Sequence, residues 1–207
     1  MGTKYRMTDE TIERYGHTLH RIEALIDIPY AKVKAGDKGG FIESEENLSQ
    51  EGNCWVGGDA QVCNNARVFD NAQVFGDAQV SGNAQVFGDA EVSGNAQVFG
   101  GAWVFGDAKV FGDAKVYDSA LLFWNACIYE DATLSGNAQV FGNASVHGNA
   151  WVTDNVLVFG NADVSGNACV CDDAHVYDYA QVDGDSQVSG SARVGGHARM
   201  RMPGKGA

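Results

Sequence analysis

Positive charge is scarce in this chain: 14 Lys and Arg stand against 27 Asp and Glu over 207 residues, a formal net charge of −13 at pH 7. Binding a nucleic-acid backbone takes cations that displace its counterions, so this balance argues against direct nucleic-acid contact. It leaves room for mimicry of a nucleic acid, and it fits a well-solvated surface. Long apolar runs are also missing, and no charged-then-apolar leader opens the sequence. The expectation is no membrane span, no secretion signal and a cytoplasmic protein. The five Cys, at 54, 63, 127, 169 and 171, are odd in number and lack metal-finger spacing. They predict free thiols rather than a disulfide framework. Around Lys38 the lysine precedes a Gly pair and no Gly-Lys-Ser/Thr follows, which speaks against a phosphate loop.

What the chain has in abundance is repetition. From Val56 to Met200 an aliphatic residue recurs at every sixth position, through Val62, Val68 and Val74 to Leu122, Ile128, Leu134 and Val194. Ala stands two residues before each, with Val156 and Ser186 the only exceptions between Ala60 and Ala198. Alternate side chains of a strand share one face, so Ala and the aliphatic point inward and the residue between them points out. Gly with Asp or Asn then makes the corner, since Gly takes positive φ freely and Asn or Asp tolerates it. Each hexad reads as one short strand and one turn of a solenoid. Phe69, Phe87, Phe105, Phe123, Phe141 and Phe159 recur every eighteen residues, with Tyr177 next in line. A coil is therefore three strands, and the span predicts an all-β triangular prism of about eight coils, roughly 40 Å long at ~4.8 Å per strand.

This grammar resembles the hexapeptide-repeat left-handed parallel β-helix. The left hand is implied by that resemblance, since periodicity carries no handedness; a right-handed bactofilin-like helix is the alternative. Residues 1–54 fall outside the hexads. Thr11–Tyr15 and Thr18–Leu25, around Gly16-His17, read as a β-hairpin. Asp27 to Lys38 reads as a connection, and the whole segment as a β cap on an otherwise open strand edge. The run Val33-Lys34-Ala35-Gly36, Gly39-Gly40-Phe41, Leu48-Ser49 and Gly52-Asn53-Cys54-Trp55 is similar to the start of the YdcK-type proteins, hexapeptide-repeat chains of bacteria and phages usually labelled acyltransferases. The expected organisation is a capping segment at 1–54, a β-helix at 55–200 and a short basic tail at 201–207. Arg199, Arg201 and Lys205, with Pro203, are expected to blunt the last strand edge.

On the face that bears the Phe ladder, the outward strand positions are Arg67, Gln85, Trp103, Leu121, Gln139, Leu157, His175 and Arg193. Its centre is apolar, formed by Trp103, Phe105, Leu121, Phe123, Phe141, Leu157 and Phe159, with Trp124 in place of the usual corner Gly. A contiguous apolar patch predicts self-association; a trimer is favoured by the resemblance, with a dimer next. The resemblance also implies an acyl-CoA-dependent transferase with acetyl-CoA or another acyl-CoA as cofactor and a His general base, which His175 fits better than His147. No loop interrupts Val56 to Met200 of the kind such enzymes use to shape an acyl-CoA site. The reading carried forward is a non-catalytic, self-associating scaffold without a cofactor, with the transferase second. An acidic decoy that captures a basic, nucleic-acid-binding protein is third. For metals, Cys169 and Cys171 with His175, and the corner run Asp59, Asp77, Asn95, Asp113 and Asp131, are weighed as soft-metal and calcium sites. Structural roles outweigh both, and no metal is expected.

Overall fold

A hexad such as Ala72-Gln73-Val74-Phe75-Gly76-Asp77 folds as a two-residue strand, Gln73–Val74, and a turn. Ala72 and Val74 point inward and are fully buried, while Gln73 between them is half-buried. The turn needs one residue in the left-handed region, and the position two after each aliphatic supplies it. Gly76, Gly82 and Gly88 hold φ of 73°, 69° and 70° there. Strand and turn N–H groups donate to carbonyls one coil further along: Gln73 to Ala90 (2.9 Å), Phe75 to Val92 (3.0 Å) and Asp77 to Gly94 (2.9 Å). Successive coils stack in parallel and in register, Gln73 beside Glu91 and Val74 beside Val92.

The computed structural model describes residues 3–14 and 16–202, so Tyr15 of the expected hairpin and Pro203 and Lys205 of the expected tail lie outside the described residues. The molecule is an all-β parallel solenoid with three sheets of eleven, nine and eight strands. The aromatic face runs from Arg67–Val68 to Arg193–Val194, and the hairpin face from Gln61–Val62 to Gln187–Val188. A third face runs from Trp55–Val56 to Arg199–Met202; its nine strands make about nine turns where the repeat count predicts about eight. Ala and aliphatic side chains from all three faces form one continuous core. In the turn that carries Leu122, Ile128 and Leu134 all three aliphatics are larger than Val, and all are fully buried. Among the described residues no helix is long and apolar enough to cross a membrane.

Stacking begins upstream of Val56. Phe41 and Ile42 pair in parallel with Gln61 and Val62, and Leu48 bridges to Val68. These partners lie two residues further apart in sequence than later ones, which hides this turn from a strict count of six. Buried Asn47 shapes the corner here. Its Oδ1 accepts the N–H groups of Glu43 (3.1 Å) and Ser44 (2.8 Å), and its Nδ2 donates to the carbonyls of Asn64 and Ala66, both at 2.9 Å.

Three strands precede this turn: β1 (Tyr5–Arg14), β2 (His17–Ala24) and β3 (Lys38–Ile42). They pair antiparallel and continue the hairpin face past the first coil. The hairpin is the expected one, with a first strand that starts at Tyr5 rather than Thr11. Tyr5 is buried, and its hydroxyl donates to the Leu48 carbonyl at 2.7 Å. Beside it the Lys4 ammonium is buried on acceptors alone: the carbonyls of Cys54 (2.9 Å) and Glu51 (3.3 Å) and the Cys54 sulfur (3.1 Å). At the far end Arg199–Met202 is the last strand of its sheet, with Arg201 Nε 3.5 Å from Asp183.

Candidate interaction face

Outward residues of the aromatic face stack because parallel, in-register strands place identical positions about 4.8 Å apart, close to the spacing of offset rings. Phe69, Phe87, Phe105, Phe123, Phe141, Phe159 and Tyr177 form one unbroken stack, with centroid spacings that widen from 4.8 Å at its start to 5.4 Å at its end. Each ring is half-buried by its neighbours. Shorter stacks stand elsewhere: Phe99 on Tyr117 on the hairpin face, and Phe111, Tyr129 and His147 on the third face.

Two Trp residues stand proud of the long stack. Trp103, beside Leu121 in the sheet, meets Phe87 edge-on at 6.2 Å and is 42% exposed. Trp124 is 58% exposed and meets Phe123 and Phe141 edge-on at 5.3 and 5.7 Å. Leu121 and Leu157 are half-buried between the aromatics. The eight expected interface residues thus lie together on one sheet or at its rim. No carboxylate occupies an outward strand position of this sheet, and Arg67 and Arg193 stand at its two ends.

Trp124 is the corner residue that breaks a rule kept elsewhere. Eight corners carry a residue other than Gly at φ between 57° and 63°: Asn64, Asp70, Asp118, Trp124, Glu130, Asp154, Asp172 and Asp178. An L residue loses about 1–2 kcal/mol there. Seven of the eight offset that cost identically, their side-chain oxygen accepting the backbone N–H of the corner residue one coil further along. Asp70 takes the N–H of Gly88 at 3.2 Å, Glu130 that of Gly148 at 2.8 Å and Asp172 that of Gly190 at 2.7 Å. An indole has no acceptor to offer, and Trp124 holds the same conformation without this bond.

The histidines separate. His175 lies between Leu157 and Arg193 in the aromatic sheet, and its ring has no side-chain hydrogen bond among the described residues. His147, on the third face, stacks on Tyr129 at 4.7 Å, with Nε2 3.0 Å from Asp163 and Nδ1 3.7 Å from Glu130. Asp163 thus holds Nε2 and orients the imidazole, while Nδ1 stands beyond hydrogen-bonding distance of Glu130.

Cys171 gathers carboxylates rather than His175: its sulfur and oxygens of Asp154 and Asp172 lie within 4.8 Å of one another. Those carboxylates already accept the N–H groups of Asp172 (3.2 Å) and Gly190 (2.7 Å), and burial and then the Asp172 charge push the thiol pKa up. In the corner run weighed for calcium, Asn95 donates to Asp113 at 2.9 Å and Asp59 pairs with Arg21 at 3.1 Å. Asn amides link coils in this way at many corners, among them Asn137 to Asn155 and Asn143 to Asn161.

Fold and surface together define the chain as a repeat β-solenoid protein. Residues 60–76, about one turn, match the family described as YdcK Beta solenoid repeat. No curated protein matches the chain.

Proposed function

We propose that the chain is a non-catalytic scaffold that pairs with a second copy of itself through the aromatic face. One observation carries this reading: Trp103, Trp124, Leu121 and Leu157 gather with the long ring stack at the centre of one sheet, whereas the exposed Phe75, Phe111 and Trp151 are spread over the other two faces. A single self-complementary face closes as a twofold dimer, whereas a ring of three needs two different surfaces per copy; the dimer is therefore preferred to the trimer implied by resemblance. Eight strands at about 4.8 Å, each side about 16 Å wide, offer roughly 600 Å² per copy. That is the lower limit of a stable interface, so the whole face must take part. Most carboxylates of the repeat sit at corners rather than in this sheet, which leaves an acidic flank for a basic protein partner.

The transferase reading rests on His175, and no feature of its surroundings favours it. Sedimentation or light scattering tests the scaffold reading. The wild-type chain runs at twice its own mass, and Leu121→Lys with Leu157→Lys gives a folded species of single mass. An unchanged mass in that variant refutes the interface.

A further inference from the structure

The loop between β2 and β3 folds back over the third face and borders an open cleft of about 610 Å³, within the usual size of small-molecule sites. Its lining includes Tyr30 and Lys32 from the loop and Trp55, Gly57, Phe75 and Glu91 from the solenoid. The loop is closed on itself and tied to the solenoid at one point. Ile28 and Val33 bridge each other, and the Tyr30 hydroxyl donates to Asp89 two turns along at 2.9 Å.

Three features of this cleft are left without partners. Phe75 is 43% exposed and joins no ring stack among the described residues, although the other solenoid Phe residues do. Its neighbours in the same outward column are Gly57 on one side and Ser93 on the other. Gly57 lies outside the left-handed region, so its backbone does not call for glycine. A Cβ there would stand 3.3 and 3.4 Å from Cδ1 and Nε1 of the Trp55 indole and 3.9 Å from Phe75. The indole edge thus stands where a side chain at 57 would begin, and with none there nothing in the column covers the Phe75 ring on that side. The second feature is the Trp55 N–H: Nε1 lies 3.4 Å from where a Gly57 Cβ would stand, makes no hydrogen bond among the described residues and keeps contact with solvent. An indole N–H only donates, so it is free to take an acceptor that enters the cleft. The third is Lys32. Of the charged side chains that line the cleft, Lys38 pairs with Glu10, Glu91 with Lys109, and Asp37 accepts the Lys34 N–H. Lys32 has no ion pair among the described residues, and it holds a left-handed φ of 58° at the rim.

We propose that this cleft is a binding site for a small planar aromatic anion. The ring lies above Gly57, outside the indole edge, and stacks on Phe75, extending the column as the Phe stack does elsewhere. An anionic oxygen accepts the Trp55 N–H and faces the Lys32 ammonium. The site is separate from the aromatic face and does not depend on dimer formation.

Calorimetric titration of the full chain with 2-naphthoate tests this. One saturable site per chain is expected, with cyclohexanecarboxylate, which lacks a planar face, and 2-naphthamide, which lacks the charge, each at least tenfold weaker. Phe75→Ser should weaken naphthoate binding tenfold or more; Ser stands in the same column at 93 and 165, so the fold tolerates it. Trp55→Phe keeps a ring and removes the N–H, and Lys32→Gly removes the charge while suiting the backbone; each should cost three- to tenfold. Unchanged thermal unfolding in these variants confirms that binding alone is altered. Absence of saturation at millimolar naphthoate overturns the site, as does wild-type affinity in Phe75→Ser. Loss of binding in Trp124→Gly instead would assign the ligand to the aromatic face and overturn it equally.

Discussion

Replacing Trp124 with Gly separates what this side chain does for the monomer from what it does for assembly. Gly106 and Gly142 occupy the same corner one turn before and after, at φ of 72° and 77°, so the backbone is already suited to glycine. Within one chain the change relieves about 1–2 kcal/mol of left-handed strain. Against that stand roughly 0.5–1 kcal/mol for the extra freedom of unfolded glycine and, at exposed positions, about 0.5 kcal/mol for each of two edge contacts with Phe123 and Phe141. The sum lies within about 1 kcal/mol of zero. In a dimer the 58% of the indole now in water becomes covered, on the order of 130 Å². At about 25 cal/mol per Å² that is about 3 kcal/mol per copy, a hundredfold or more in Kd. Sedimentation over a concentration series should therefore show dissociation at least a hundredfold easier, while thermal unfolding of the dilute chain barely moves. Unchanged association with raised stability would refute the reasoning, because it would leave Trp124 as strain without a partner.

The corner rule predicts an order at Asp172. Asp172→Ala loses the acceptor for the Gly190 N–H and keeps the left-handed strain, so urea unfolding should show a loss of about 2 kcal/mol. Asp172→Gly should lose clearly less, and the reverse order would remove the proposed compensation. Glu43 is held below its ordinary pKa of 4.5, chiefly by the Asn64 N–H at 2.6 Å and then by His17. A depressed carboxylate contributes stability that is present above its unfolded pKa and lost as pH falls through its folded one. Unfolding free energy measured downward from pH 5 should thus fall less steeply in Glu43→Gln than in the wild type. Val110→Asp places a carboxylate among fully buried Val92 and Ile128; circular dichroism should report loss of strand signal, at a cost above about 4 kcal/mol.

Much of this was legible in the sequence because a solenoid repeats its local rule. The strand phase, the three-sided coil and the membership of the aromatic face follow from periods of six and eighteen, and in-register stacking carries position directly into place. The two-residue insertion before Val56 defeats that count, so the first turn emerges only from the pairing of Ile42 with Val62 and Leu48 with Val68. The acceptor role of the corner Asp residues was equally hidden, since Asp70 and Gly88 meet only across coils. His147 and Asp163 come together by the same stacking, sixteen residues apart, His147 just after the strand Ser145–Val146 and Asp163 on the strand beside it.

By itself, then, the sequence determined the repeat: which residues face inward, where each turn falls, how many sides a coil has and which rings form the long stack. These are local choices of backbone and burial, written once per hexad. Only the tertiary structure decided the cleft, the Trp55 N–H open to it and the Phe75 ring that stacks on no other among the described residues. They arise where an irregular loop, anchored by Tyr30 on Asp89, folds over strands distant in the chain, and no periodicity records which side chains such a return leaves without partners.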